Sequence, residues 1–208
     1  MKKSALAVFI CAFACAFAFA VTDAPQKIIK LKTPQFANAK SLMTSFGERK
    51  SVREFADVQL SEQVLSDLLW AAIGVNRPDG RRTAPTAMNR QEIDVYACLK
   101  EGAYLYNAGK NQLELVSKQD CRLIGAPITL LIVGDTAKNS ERWAIFDAGA
   151  VSQNISLFCA GTGLATVPRG QMPAEDLKKM LKLKDSRQII INHPVGYPKT
   201  KVQDKDIN

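Results

Sequence analysis

Two stretches of this chain hold most of the side chains that could do chemistry on a small ligand. The first is Arg49-Lys50-Ser51-Val52-Arg53, where two guanidinium forks, an ammonium and a hydroxyl fall within a few positions. Such a set suits a phosphate monoester, whose oxygens accept paired hydrogen bonds from arginine. Taken alone, a run of this kind is more often the solvated end of a helix. The second is Gly80-Arg-Arg-Thr-Ala-Pro-Thr-Ala-Met-Asn-Arg-Gln91. Ala84, Pro85, Thr86 and Ala87 carry little bulk, so a flat ligand could lie close to the backbone. Asn89 and Gln91 each offer donors and an acceptor, as the edge of a heterocycle requires. A Pro-stiffened surface loop with Asn89 capping a turn is the plainer reading of that stretch by itself.

Other reactive groups point away from hydrolytic or metal chemistry. His193 is the sole histidine, with no evident carboxylate or cysteine partner, so a structural role is expected for it. No Cys-x-x-Cys pair exists, which removes zinc and thioredoxin-like readings, and no metal site is expected. Cys98 and Cys159 sit in apolar patterns and read as core packing; one disulfide is permitted, and an odd cysteine count leaves a thiol over. Gly161-Thr-Gly163 follows a helical pattern rather than a strand, so it is a helix stop and not a dinucleotide fingerprint.

The elements that must position these groups are legible from periodicity. A short helical pattern begins at Ser41, and a second, capped by Ser61, repeats Val64, Leu65, Leu68, Leu69, Ala72 and Ile73 before Gly74 stops it. Pro78-Asp79-Gly80 is a turn. Residues 92–99 alternate as a half-buried strand, and 103–106 and 112–116 continue as an antiparallel meander. Residues 127–133 are almost wholly apolar, as in a central strand buried on both faces. The longest helical pattern, 142–161, crowds small residues together, which lets it pack closely on another helix. A short strand at 164–167, an amphipathic helix at 173–183 and a buried strand at 188–192 complete the chain.

The first twenty residues read as a secretory signal peptide: Lys2 and Lys3, an uncharged apolar run, then Ala18-Phe19-Ala20. The expected layout is a signal peptide over 1–20, an arm over 21–40 and one domain over 41–208. The expected location is periplasmic or extracellular, with no stable membrane insertion once the signal is cleaved. Cleavage lowers the basic count from 28 to 26 against 20 acidic residues, so a formal charge of +8 becomes +6. The cations are scattered and carry no aromatic interleaving, which argues against nucleic-acid binding.

Taken in order, the basic segment 49–53, the 85–91 loop, the small-residue helix ending in Gly161-Thr-Gly-Leu-Ala-Thr166, and Val195-Gly-Tyr-Pro-Lys199 resemble the nitroreductase family of FMN-dependent oxidoreductases. The likeness covers roughly residues 41–201. It implies an α+β fold with a mostly antiparallel central sheet flanked by helices. It also implies an intertwined homodimer with FMN at the interface. By the same resemblance Arg49, Lys50, Ser51 and Arg53 take the FMN phosphate and ribityl chain, and Pro85, Thr86, Ala87 and Asn89 lie along the isoalloxazine. Pro168, Arg169 and Gly170 approach the ring, and Lys199 and Lys201 reach the phosphate. The implied reaction carries hydride or electrons from a reduced nicotinamide or other donor through FMN to an aromatic, nitro or quinone-like small-molecule acceptor. No catalytic side-chain acid or base is required. The alternative on the same fold is a non-catalytic protein that binds flavin or another cofactor. One departure stands out: the family often has Asn-x-Gln-Pro-Trp in the central loop, and here Asn89-Arg90-Gln91 runs into Glu92-Ile93.

Overall fold

The computed structural model describes residues 27–35, 37 and 39–199. The expected signal peptide, the first part of the arm and Lys201 lie outside the described residues. The frame is a seven-stranded sheet built from β1 (Ile28–Lys30), β2 (Ile93–Leu99), β3 (Gly102–Asn107), β4 (Gln112–Ser117), β5 (Ile128–Asp135), β6 (Ala165–Thr166) and β7 (Arg187–Gly196). Its order is β1-β4-β3-β2-β5-β7-β6, and every pairing is antiparallel. Among the described residues four helices flank it: α1 (Leu42–Glu48), α2 (Glu62–Ile73), α3 (Glu141–Thr162) and α4 (Ala174–Met180). The fold is therefore α+β with an antiparallel sheet, as the resemblance implied.

Side-chain alternation along the central strands explains the layering. Val95, Ala97, Leu130 and Ile132 point to one face and pack with Leu68, Leu69, Ile73, Ala148, Val151 and Ile155 of α2 and α3. Tyr96, Cys98, Leu131 and Val133 point to the other face and pack with Leu177 and Leu181 of the α4 region. Each fully buried Leu or Ile contributes about 1.5–3 kcal/mol, so both faces hold the sheet. Residues 92–99 were expected to be half-buried. They are instead buried on both sides, because β3 and β5 flank β2 and helices cover both faces. Cys98 and Cys159 are both buried in the core, as expected; Cys98 is in addition bonded to Cys121 on the α4 face, while Cys159 is free.

α3 organises the site. It lies against β5 so closely that a Cβ on Gly134 would meet Ala144 Cβ at 2.9 Å. Gly163 ends the helix in the left-handed conformation at φ 75°, with its N–H bonded to Cys159 O, which is the helix stop expected from Gly161-Thr-Gly163. α2 begins at Ser61, whose hydroxyl accepts from Val64 N–H, and ends at Gly74.

Candidate flavin site

At the C-terminal end of α3 the chain gathers most of the expected phosphate residues. Residues 49–56 run beside 197–199: Ala56 N–H donates to Tyr197 O at 2.9 Å and Lys199 N–H to Glu54 O at 3.1 Å. Val52 N–H donates to Thr166 O at 2.9 Å, which fixes the segment against β6. Two cavities open on either side of it. One, of about 500 Å³, is lined by Lys50, Val52, Ser156, Gly163, Thr166 and Pro198. The other, of about 420 Å³, is lined by Arg53, Ile124, Arg169, Gly170 and Gln171. Arg49, Ser51, Pro168 and Lys199 are exposed around them.

The 168–171 segment is held by Asn192. Arg169 and Asn192 exchange backbone hydrogen bonds at 2.9 Å, and Asn192 Nδ2 donates to Arg169 O at 2.7 Å. Asn192 is fully buried, and its Oδ1 has no partner among the described residues.

His193 is buried behind Thr166, which lines the first cavity. Thr166 Oγ1 donates to Pro194 O at 2.9 Å, so its lone pair is left to accept from His193 Nδ1–H at 3.1 Å. His193 Nε2 then accepts from Ser152 Oγ–H at 2.8 Å. Burial pushes the imidazole down to about 4, so the ring is neutral and its two nitrogens are committed to neighbours. The structural role expected from sequence is the one observed.

The expected isoalloxazine loop is elsewhere. Ala87 N–H donates to Asp147 Oδ2 at 2.8 Å. Asp147 stands nine positions before Ser156, so along the helix the two groups of residues lie about 14 Å apart. One chain thus brings Lys50, Arg53, Arg169, Gly170 and Lys199 together but not Pro85, Thr86, Ala87 and Asn89. The loop itself is tightly drawn. Met88, Asn89 and Gln91 have φ of 55°, 52° and 48°, each costing about 1–2 kcal/mol for a residue with a Cβ. Gln91 offsets this by joining its backbone N–H to Thr86 Oγ1 at 3.0 Å and its amide to Asn89 Oδ1 and Gly80 O, both at 3.1 Å.

Beneath the loop is a buried carboxyl pair that periodicity did not single out. Glu92 has no exposure and Asp147 has 1%. Asn139 Nδ2 donates to Glu92 Oε1 at 3.2 Å, and Glu92 Oε2 finds no donor. Burial raises the Glu92 carboxyl above its ordinary range, and Asp147 beside it raises it further. A readable signal existed for Asp147, which occupies the inward stripe 144, 147, 148, 151 and 155 of α3.

Comparison with known proteins decides the family. The sequence model described as "Nitroreductase family" matches residues 47–197. The chain belongs to the nitroreductase family. A protein of Methanocaldococcus jannaschii assigned to the nitroreductases is 26% identical over 174 residues, covering 72% of this chain and 87% of the relative. A nitroreductase-like protein of Ralstonia eutropha, solved by crystallography, is 33% identical with a TM-score of 0.79, covering 83% of this chain and 90% of that one. An FMN-dependent nitroreductase of Clostridium difficile shares the fold at 18% identity and a TM-score of 0.55, covering 76% of this chain and 88% of that one. Nitroreductase membership makes this chain an oxidoreductase. The place where it departs from the frequent family pattern, Glu92, is the buried carboxyl under the loop.

Proposed function

We propose that this nitroreductase binds FMN and moves reducing equivalents from a reduced nicotinamide or another donor to an aromatic, nitro or quinone-like acceptor. The observation that carries the reading is the pairing of the 49–54 segment, whose Lys50 and Arg53 each line a cavity, with Lys199 from the other end of the chain. A dianionic phosphate needs several cations, and this set supplies them. The buried, unpartnered Asn192 Oδ1 beside residues 169–171 supports a ligand with an N–H at that edge. Bound FMN would supply the hydride chemistry; the protein binds it, orients it and keeps water from it.

Arg49, Lys50, Ser51, Arg53 and Lys199 hold the phosphate and ribityl chain in this reading, with Lys201 extending the cationic end. Pro168, Arg169 and Gly170 approach the ring. Pro85, Thr86, Ala87 and Asn89 come from a second copy of the chain, because within one chain they sit at the far end of the working part of α3. Exposed apolar groups support such a homodimer: Leu42, Met43 and Phe46 of α1, and Trp143, Ile145 and Phe146 of α3. Nothing in the reaction asks for His193 as acid or base.

The Cys98–Cys121 bond supports an oxidising compartment, in agreement with the proposed leader over residues 1–20 and with an arm and domain over 21–40 and 41–208. Reduced nicotinamides are scarce outside the cytoplasm, so quinols stand beside them as candidate donors. Anaerobic titration of the FMN-loaded protein with reduced nicotinamides and with quinols tests it. Bleaching of the flavin band by one of them, and its return on adding a quinone, is the expected result. A flavin that stays bound and oxidised with every donor would instead establish the non-catalytic binding protein.

A further inference from the structure

Beside the 84–89 loop lies a cationic pocket that shares Pro85, Thr86 and Asn89 with the flavin reading but whose three arginines that reading does not use. A hairpin over residues 75–82 forms one wall. Val75 pairs with Arg82, Asn76 N–H donates to Arg81 O at 3.1 Å, and Gly80 N–H closes the turn on Arg77 O at 3.0 Å. Pro78 stands where a type I turn favours proline, and Gly80, at φ 80°, where it favours glycine. The hairpin brings Arg77, Arg81 and Arg82 around a cavity of about 420 Å³ whose other wall includes Pro85, Thr86 and Met88.

These arginines are fixed in place and only partly compensated. Arg77 Nη2 donates to Arg82 O and its Nε to Asn76 Oδ1, both at 3.1 Å. Arg82 Nη1 donates to Ile93 O at 2.8 Å, and its buried Nε has no partner. Arg81 meets Asp79 at 3.1 Å, at an exposed position where such a pair is worth little. Asp94 and Glu92 are the carboxylates in the field of Arg82, and Asp94 is held by Arg187 at 2.7 Å. Arg77 and Arg81 therefore face one exposed aspartate, Asp79, next to an apolar rim formed by Pro85 and the 84% exposed Met88.

We propose that this pocket is a binding subsite for an aromatic oxyanion, with Arg77 and Arg81 holding a carboxylate or comparable anion and Pro85 and Met88 covering the ring. As a statement about the acceptor, that it carries a negative charge, it rests on the flavin reading; as a binding site it stands without it. The bonds from the Arg77 guanidinium to Arg82 O and Asn76 Oδ1 lower the side-chain ordering that binding costs there. Arg82, tied into the core, shapes the pocket floor.

The test is equilibrium binding of 4-nitrobenzoate and of nitrobenzene to the purified protein, measured with and without saturating FMN. The expected result is binding of the carboxylate about tenfold tighter than the neutral ring, weakened by salt. Arg77→Ala and Arg81→Ala should each remove most of that preference while leaving nitrobenzene binding and FMN retention unchanged; Arg82 is left intact because its loss would disturb the core. Equal binding of the two ligands overturns the subsite. So does loss of FMN in the Arg77 or Arg81 variants together with displacement of nitrobenzoate by FMN, which would assign these arginines to the cofactor's own phosphate. Should the protein retain no FMN yet keep the carboxylate preference, the flavin reading fails and the subsite stands.

Discussion

Asp147 Oδ2 accepts the backbone N–H of Ala87 at 2.8 Å, joining residues sixty positions apart. The bond fixes the expected flavin loop to the longest helix, and through Glu92 to the first residue before β2. Asp147→Ala would leave the Ala87 N–H without an acceptor, a cost of about 1–3 kcal/mol. Because the loop rather than the core loses its anchor, FMN affinity should fall about tenfold while the fold persists. Asp147→Asn, which keeps an acceptor, should recover most of it. Flavin fluorescence titration beside thermal melting separates the two effects. A destabilised variant that binds FMN normally would show that the loop takes no part in the site.

Acid sensitivity should carry the signature of His193. Burial holds its folded value near 4, against about 6.5 in the unfolded chain. The unfolded state therefore binds the extra proton first, and stability is full above pH 6.5 and falls as pH drops toward 4, by on the order of 3 kcal/mol. Urea midpoints across that window should show this slope, and His193→Gln should flatten it. An unchanged slope in the variant would mean that other groups set the acid limb.

Glu92 works with the opposite sign. Its folded value is raised, so its contribution to stability is present at low pH and lost as pH climbs through that raised value. Glu92→Gln keeps the acceptor for Asn139 and adds a donor toward Asp147. The variant should gain about 1 kcal/mol at pH 7 and nothing at the acid end. Destabilisation at pH 7 would contradict a raised Glu92 carboxyl.

The Cys98–Cys121 bond closes a loop of sequence separation 23. Constraining the unfolded chain over that length is worth about 3 kcal/mol. Cys121→Ser, or reduction, should lower the urea midpoint accordingly, whereas Cys159 is buried on the opposite side of the sheet and should stay unreactive until unfolding. A midpoint indifferent to reductant would mean that the two thiols are not bonded.

Much of this frame could be read from residue order. The apolar run of β5 announced a strand covered on both faces, Ser61 and Gly74 marked the ends of α2, and the small residues of α3 with Gly163 gave its length. β2 was harder: Glu92, Asp94 and Tyr96 look like a solvent face, yet each is taken up by partners that only the fold supplies, Asp147 for the first and Arg187 for the other two. Pairing of Cys98 with Cys121 depends on how β2 meets the loop before β5, and no spacing encodes that. The separation of the 85–89 loop from the basic end is likewise a property of α3 in space, since in sequence both looked like parts of one continuous site.

The most direct measurement is the flavin-to-protein ratio of the purified protein after incubation with FMN and desalting, taken with its oligomeric state. The account predicts one FMN per chain in a dimer, with retention lost in Arg53→Ala and weakened in Asp147→Ala, so that both halves of the site are needed. A folded protein that retains no FMN would contradict the phosphate assignments at Lys50, Arg53 and Lys199. A monomer that binds FMN with full affinity would contradict the second chain's share in the site.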